Sequence, residues 1–505
     1  MLKNRHIWQI LVVVLVIGSF SIGIKMGQSD ALNGHDKSTF QMLSKTLMEV
    51  ISKSENNYYK EVNRNELMKG AIRGAMASLD DPYSFYMEER KLKRERENLY
   101  RGEFGGLGIR IYEDKNHFVK IARPLPNTPA MKVGLQAGDI IAKVEGESII
   151  IDTVSGMTLD DVVDKLRGEK GTPVNVTIYR SATMETFDVN IVRDTIQINS
   201  VETEMLDSGI GYIKIQEHFT GRTYDEFADA LKSLNKDNKL KALILDLRDN
   251  PGGLLEAAWN VSNAFLPEGV IVSTRGRDHK YDKVYSATKS IFLLPEVPLV
   301  VLVNGYSASG SEIVAGAVKD SKRGILVGTT TYGKGLVQQR MELNSGPGAI
   351  SLTISSYYTP NGTSIHEKGI IPNIEVEEWH PSSIDQLMLR KAREKELIEK
   401  FVMDYIKEKI DETNEQPKDF TELKARLPEL IPVLEENGIK FEEEKVVTLQ
   451  TRRIFDLNVG IARVVDLEND VPLQRAMEVV KSGEITKILA EVTPESVEAM
   501  PEAAE

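Results

Sequence analysis

The sequence predicts a multidomain α/β protein, and three observations carry that prediction. Dense apolar runs at residues 241–247 and 297–303, each followed by a Gly-containing turn and a helical pattern, read as buried strands of an α/β unit spanning about residues 196–376. From residue 105 to about 194 the texture is instead short β-like runs separated by Gly and Pro. Both ends of the chain carry helical periodicity. With 505 residues, 41% of them hydrophobic, the chain is too long for one core and too apolar for general disorder.

Near the N-terminus, Lys3, Arg5 and His6 precede an apolar run over residues 7–24 that Lys25 closes, about the length that crosses a bilayer. The basic residues ahead of it stay in the cytoplasm, so a spanning helix sends everything beyond Lys25 to the extracytoplasmic side. A cleaved signal peptide is the alternative, but no Ala-x-Ala site follows. Leu43, Leu47, Val50 and Ile51, then Leu67, Ala71, Ile72 and Ala75, recur at helical spacing, and Pro82 ends that helical unit. In the β-like part, residues 118–121, 140–144 and 174–179 are strand candidates and 159–166 is the principal helix. Beyond Pro381, Leu397, Phe401 and Tyr405 with Ile398, Val402 and Ile406 form an apolar stripe suited to core or dimer contact, and Pro428, Pro432 and Pro472 divide the region into several helices. The expected segments are a membrane anchor or signal (1–27), an N-terminal helical region (38–103), a β-rich domain (104–194), an α/β core (195–380), a C-terminal helical region (381–492) and a flexible acidic tail (493–505).

Composition excludes several functions. A net charge of -13 spread along the chain opposes nucleic-acid binding. Without cysteine there is no disulfide, no thiolate nucleophile and no Cys-ligated zinc. The turn at Asn250-Pro251-Gly252-Gly253 lacks the Lys-Ser or Lys-Thr of a phosphate loop. No metal and no cofactor is expected.

The informative stretch is Asn304-Gly305-Tyr306-Ser307-Ala308-Ser309-Gly310-Ser311-Glu312, set between a buried strand and an apolar helix over residues 313–318. Small residues there allow a hydroxyl to stand on a tight strand-to-helix turn, with the helix's free amides aimed at what binds. The Gly310 N–H is placed to stabilise an oxyanion, an effect worth about 3–4 kcal/mol in acyl transfer. Ser309 with Glu312 is also a capping box, which needs no catalysis to explain it.

A catalytic serine needs a base. Of seven histidines, only His218, His279 and His366 fall in the α/β unit, and none has the surroundings of a nucleophile elbow. Lys334, in Thr331-Tyr332-Gly333-Lys334-Gly335, follows an expected strand at 325–327. To act as base, its amine must fall by roughly 3 pH units from about 10.4, about 4 kcal/mol of desolvation. Gln338, four residues on, shares its face in a strand or a helix and orients an amine without charging it. A second turn, Asp246 to Gly253, offers Gly252 and Gly253 as further oxyanion donors, with Arg248 pairing Asp246 or Glu256.

Together these residues resemble the carboxyl-terminal processing peptidases, or tail-specific proteases, over nearly the whole of residues 79–376. The matching pieces are Leu79-Asp80-Asp81-Pro82-Tyr83-Ser84, Gly106-Leu107-Gly108-Ile109, the Asp246 to Gly253 turn, Ser307 to Glu312, Gly333-Lys334-Gly335 and Tyr357-Tyr358-Thr359-Pro360-Asn361-Gly362. The resemblance implies a ClpP- or crotonase-like α/β peptidase core, an inserted PDZ domain and helical ends that dimerise. It makes Ser309 the nucleophile, Lys334 the general base and Gln338 the residue orienting it. Gly310, Gly252 and Gly253 fall where oxyanion donors are expected, and Gly106, Leu107, Gly108 and Ile109 where a PDZ domain holds a peptide's carboxylate. Substrates are proteins or peptides with free C-termini. Arg167, at the end of the principal helix, either faces the catalytic core or, as surface arginines usually do, stands solvated. One departure is that the nucleophile run reads Ser-Ala-Ser-Gly-Ser where Ser-Ala-Ser-Ala-Ser is expected. Two rival readings are an inactive peptide-binding adaptor and a crotonase-like enzyme acting on thioesters.

Overall fold

Periodic apolar positions near the N-terminus do fold into two helices, α1 (Gly34–Asn57) and α2 (Arg64–Ala77), the second capped by Asn63, whose side chain accepts from Asn65 N–H. The stripe is less buried than its period predicts: Ile51 is enclosed, while Leu43, Leu47 and Val50 are exposed. Asp81 stops the unit by accepting Tyr83 N–H at 2.9 Å and Ser84 Oγ at 2.6 Å across Pro82. The computed structural model describes residues 34–114, 116–151, 157–181, 183–289, 297–461 and 463–491. Its two compact units divide after Tyr86. The apolar run at 7–24 and the acidic tail lie outside the described residues, among which no helix is long and apolar enough to cross a membrane.

The second unit starts with α3 (Glu89–Glu95), which runs into a π-helical turn (Arg96–Arg101). A β-rich domain follows: β1 (Glu103–Gly106), β2 (Ile109–Glu113), β3 (Val119–Pro124), β4 (Ile140–Val144), helix α4 (Leu159–Leu166), β5 (Pro173–Arg180), β6 (Glu185–Val192) and β7 (Asp194–Gln197). Its sheet runs β2-β3-β4-β5-β6, all antiparallel, and β1 pairs with β7. Val119, Ile121, Val174, Val176, Ile178 and Val162 of α4 fill its core. The alternation read at 174–179 is that inward face. Helix α3 is held to α4 by ion pairs of Arg90 with Asp161 and of Arg94 with Asp160 and Asp164. On its other side Glu95 pairs with Arg340 and Arg96 with Glu342. Arg167 does not reach the catalytic core: it meets Glu97 and Asn98 of the π-helical turn and stacks on Phe104. Its chain position at the end of α4 turns it toward that neighbour.

The α/β core comprises β8 (Val201–Leu206), β9 (Ile210–Ile215), α5 (Thr223–Leu234), β10 (Ala242–Asp246), α6 (Leu255–Asn263), β11 (Val270–Gly276), β12 (Lys283–Ser286), β13 (Leu299–Val303), α7 (Gly310–Asp320), β14 (Ile325–Gly328), β15 (Leu336–Glu342), β16 (Ala349–Tyr358) and β17 (Ile374–Glu375). Six strands form the main sheet, β8-β9-β10-β13-β14-β17, antiparallel only at β8/β9. The two dense apolar runs become its central strands β10 and β13, buried on both faces. Leu243 and Leu245 face α5, α6 and α7. Ala242 and Ile244 face the opposite side, which C-terminal helices cover. A second, antiparallel arrangement joins β12-β11-β16 with β15.

The C-terminal helices part into two groups. Helices α8 (Ser383–Glu394), α9 (Leu397–Thr413), α10 (Leu427–Glu436) and α11 (Glu444–Val459) share a separate core, in which Ile398, Val402, Tyr405 and Ile406 are buried. Helices α12 (Val471–Ser482) and α13 (Glu484–Glu491) instead pack on the main sheet through Leu473, Ala476, Met477, Val479 and Ile485. Pro428 and Pro472 stand in first helical turns, where a missing N–H is harmless, but Pro432 lies inside α10 and does not divide it.

In α9, Glu399 has a buried carboxylate oxygen with no hydrogen-bond partner among the described residues, and loss of solvent raises its pKa. A carboxyl raised on folding favours the fold when neutral; that contribution is present below its unfolded pKa and is lost as pH rises through the folded value. Glu399→Gln is therefore expected to raise Tm at pH 8 by roughly 2 °C and to leave it unchanged near pH 4, measured by calorimetry.

Candidate active site

Three turns that leave adjacent parallel strands at their carboxyl ends converge, as sites in such sheets do. They follow β10 (246–253), β13 (304–309) and β14 (329–335). Register sets them side by side, since Asp246 pairs with Leu302 and Val303 with Gly328. Ala308 N–H and Ser311 Oγ both donate to Asn250 O, at 3.0 and 2.9 Å, and Tyr332 N–H donates to Ser307 O at 3.0 Å.

Ser309 precedes α7 with φ of 52° and ψ of -109°, a conformation a side chain rarely adopts and one that costs about 1–3 kcal/mol. What holds it is Glu312, fully buried in the first turn of α7. One oxygen of its carboxylate accepts Ser309 N–H at 2.8 Å and Lys334 N–H at 2.9 Å. The other accepts Gly333 N–H at 2.7 Å and Thr331 Oγ1 at 2.6 Å. The capping box is therefore real, and the same carboxylate draws the Lys334 turn against the Ser309 turn. Tyr357, whose pKa burial and the nearby Glu312 charge push well up, stays a donor and binds Ser309 O at 3.0 Å.

Lys334 is partly buried between two glycines that admit close backbone. A Cβ on Gly333 would lie 2.9 Å from Gly369 N, and one on Gly335 2.8 Å from His366 N. Gln338 does not follow the simple alternation expected of it: Lys334 precedes β15, and a bulge between Val337 and Gln338 breaks the period of two. Its side-chain hydrogen bond is from Nε2 to Thr353 Oγ1 at 3.3 Å.

Among the expected oxyanion donors, Gly252 lies against Ser309, since a Cβ there would meet Ser309 Cβ at 2.7 Å and Gly310 N at 2.6 Å. Its own N–H, however, is taken by Asn250 Oδ1 at 2.8 Å. The N–H groups of Gly253 and Gly310 have no acceptor among the described residues. Gly310 also fits its place, because an alanine would press on Phe219 Cδ2 at 3.2 Å and Ala258 Cβ at 3.3 Å. Arg248 pairs with Asp246, not with Glu256, and takes Asp470 of the C-terminal helices as its second partner. In the β-rich domain Leu107 and Gly108 offer N–H groups at the foot of β2; among the described residues these have no acceptor and the outer edge of β2 has no strand beside it. Gly106 is paired into β1, and Ile109 opens β2.

Sequence reasoning weighed His218 only as a triad base and set it aside, yet it stands beside the site. Its ring contacts the Gly252 backbone, and its pKa is lowered by loss of solvent and further by the Lys334 charge. It also treated Glu312 only as a cap. An acid heading the all-apolar run Ile313 to Val318 was the available signal.

The fold and site are those of a serine peptidase with a peptide-binding domain, and comparison with known proteins agrees. Residues 209–376 match the model for peptidase family S41, residues 120–180 that for the PDZ domain, and residues 24–91 that for the activating protease CtpB N-terminal domain. The carboxy-terminal-processing protease of Bartonella bacilliformis is 41% identical over 375 residues, 73% of this chain and 83% of that protein. Carboxy-terminal processing protease CtpA of Bacillus subtilis is 37% identical over 72% of this chain and 73% of its own. Among solved structures, the photosystem II D1 C-terminal processing protease is 32% identical, with a TM-score of 0.39 over 64% of this chain and 85% of that one. The chain belongs to the carboxy-terminal-processing proteases of peptidase family S41, which sets aside the thioester reading.

Glu312→Gln keeps the size of the side chain but replaces an acceptor oxygen with a donor facing Thr331, Gly333, Ser309 or Lys334. It is expected to lower kcat/KM at least tenfold and to destabilise by about 1–3 kcal/mol in chemical denaturation, the usual penalty for buried groups left unpaired.

Proposed function

We propose that this protein is a membrane-anchored, extracytoplasmic serine endopeptidase that cleaves near the C-terminus of protein substrates whose free carboxyl end its PDZ domain has captured. The observation that carries the reading is the shared Glu312 oxygen. Ser309 N and Lys334 N lie 2.8 and 2.9 Å from one atom, which draws the two turns together and supports a Ser/Lys dyad.

The reaction runs in two stages. Lys334, neutral, takes the Ser309 proton as Oγ attacks the scissile carbonyl carbon, and the N–H groups of Gly310 and Gly253 receive the oxyanion. The lysine then gives that proton to the leaving amine, the peptide bond breaks and an acyl-Ser309 ester remains. Water attacks the ester with Lys334 again taking the proton, which returns to Oγ. Gln338 orients the amine through its amide oxygen, a reading supported by the engagement of its Nε2 with Thr353 Oγ1, which leaves that oxygen available. Gly252 serves by leaving room beside Ser309.

Captured tails add as a strand along β2 beside α4, with the carboxylate on the amides of the Gly106–Ile109 loop; the open edge of β2 and the unengaged Leu107 and Gly108 amides support this. The parallel strands, with helix amides at the site, support a ClpP- or crotonase-like core. Exposed Phe40, Met42, Leu43, Leu47, Met48 and Val50 on α1 support a homodimer formed through the helical ends. The apolar run at 7–24, behind basic residues, supports the anchor and its orientation. The segments at 1–27, 38–103, 104–194, 195–380, 381–492 and 493–505 are read as anchor, helical region, PDZ domain, peptidase core, helical region and tail.

Ser309→Ala and Lys334→Ala are each expected to abolish cleavage of an apolar-tailed protein while the melting temperature stays within a few degrees. A fluorophosphonate should label the wild type at Ser309 only. Turnover of either variant at the wild-type rate would refute the dyad.

A further inference from the structure

The end of β10 is where the sheet's alternation turns polar. Ala242 and Ile244 face the helices α12 and α13, so Asp246, two residues on, faces them too, and it is fully buried. Arg248 answers it. The guanidinium binds Asp246 through Nε at 3.0 Å and Nη2 at 2.6 Å. It also binds Asp470 in a two-pronged pair, Nη1 to Oδ1 at 2.8 Å and Nη2 to Oδ2 at 2.6 Å. Tyr212 donates to Asp246 at 2.6 Å, and Glu378 stands 3.8 Å from Nη1. Asp470 is also the cap of α12, accepting Leu473 N–H at 3.0 Å. A C-terminal helix is thus tied by its first turn to the turn that carries Gly252 and Gly253.

The tie runs on to the reacting groups. Two residues past Arg248, Asn250 binds Ile215 O through Nδ2 and Gly252 N–H through Oδ1, both at 2.8 Å. Its carbonyl accepts Ala308 N–H and Ser311 Oγ. Leu247 O accepts Ser307 Oγ at 2.8 Å, and Glu378 accepts Asn304 Nδ2 at 3.1 Å. We infer that Asp470 is a positioning residue for catalysis: through Arg248 it fixes the turn that presents the Gly253 N–H to the oxyanion. A bidentate pair to a planar guanidinium fixes both distance and plane, which a single carboxylate on the same chain segment does not. Helices α12 and α13 then belong to the catalytic apparatus as well as to the core.

This inference rests on Gly253 and Gly310 acting as the oxyanion donors. Asp470→Asn and Asp470→Glu are made in the full chain, and kcat, KM and the affinity of a substrate-like peptidyl aldehyde are measured. The aldehyde's adduct with Ser309 places an oxygen where the oxyanion forms. Loss of positioning acts only on that state, so Asp470→Asn should lower kcat ten- to a hundredfold with KM within twofold. Aldehyde affinity should fall by a similar factor, and Asp470→Glu should recover part of both. A merely structural role would lower Tm and leave kcat and aldehyde affinity intact well below it, and that result overturns the inference. If Asp470→Asn does not fold, Arg248→Lys, which keeps the charge and loses the fork, is read the same way. A wild type that neither turns over peptide nor reacts with a fluorophosphonate would count against the dyad itself and not against Asp470.

Discussion

One buried carboxylate organises the catalytic region. Glu312 sits at the positive end of α7, where a negative charge is favoured, and its four donors come from two different turns. A carboxylate so surrounded is solvated by the protein in place of water, which is what makes complete burial tolerable. The backbone strain at Ser309 and the approach of the Lys334 turn are both consequences of satisfying that one group. The neighbouring chain follows: Thr331 Oγ1, having donated to Glu312, accepts Ile370 N–H at 2.7 Å and so brings the segment after β16 over the Lys334 turn.

How much of this was legible depends on whether the information was local. Residues 159–166 were readable to the residue, because Thr158 and Asp161 form a capping box and Leu166 ends an amphipathic run. The central strands were readable because burial on both faces leaves no polar position. The burial of α1 was not, since a period of 3.6 marks a face and says nothing of what covers it. Ser309 and Lys334 stood out by their small neighbours. Of the partners of Arg248, Asp246 was legible two residues away, but Asp470 was not: it lies 222 residues away, and only the packing of α12 on the sheet brings it near. The bulge before Gln338 was equally hidden, being a property of pairing with β16.

The same contrast separates the glycines. Gly252, Gly253 and Gly310 looked alike as candidate donors, and their side-chain-free backbone explained all three. Hydrogen bonding divides them: Asn250 consumes one N–H and leaves two. The residue that a motif leaves unspecified, here the orientation of an asparagine side chain, decides which amide remains available.

The two ways in which the peptidase core is attached to its surroundings differ in their sensitivity to the medium. Helix α3 and the π-helical turn after it join the PDZ helix to β15 through arginine–carboxylate pairs of mixed exposure; the side chains of Arg90 and Arg96 are 51% and 50% exposed, those of Arg94 and Arg340 16% and 27%. Counter-ions screen such pairs over a Debye length of about 8 Å at physiological salt. In the Arg248 cluster the side chains of Arg248 and Asp246 are 8% and 0% exposed and that of Asp470 18%, so screening there is weaker. In concentrated electrolyte the exposed pairs between the PDZ helix and β15 weaken more than the buried pair beneath the turn that follows β10.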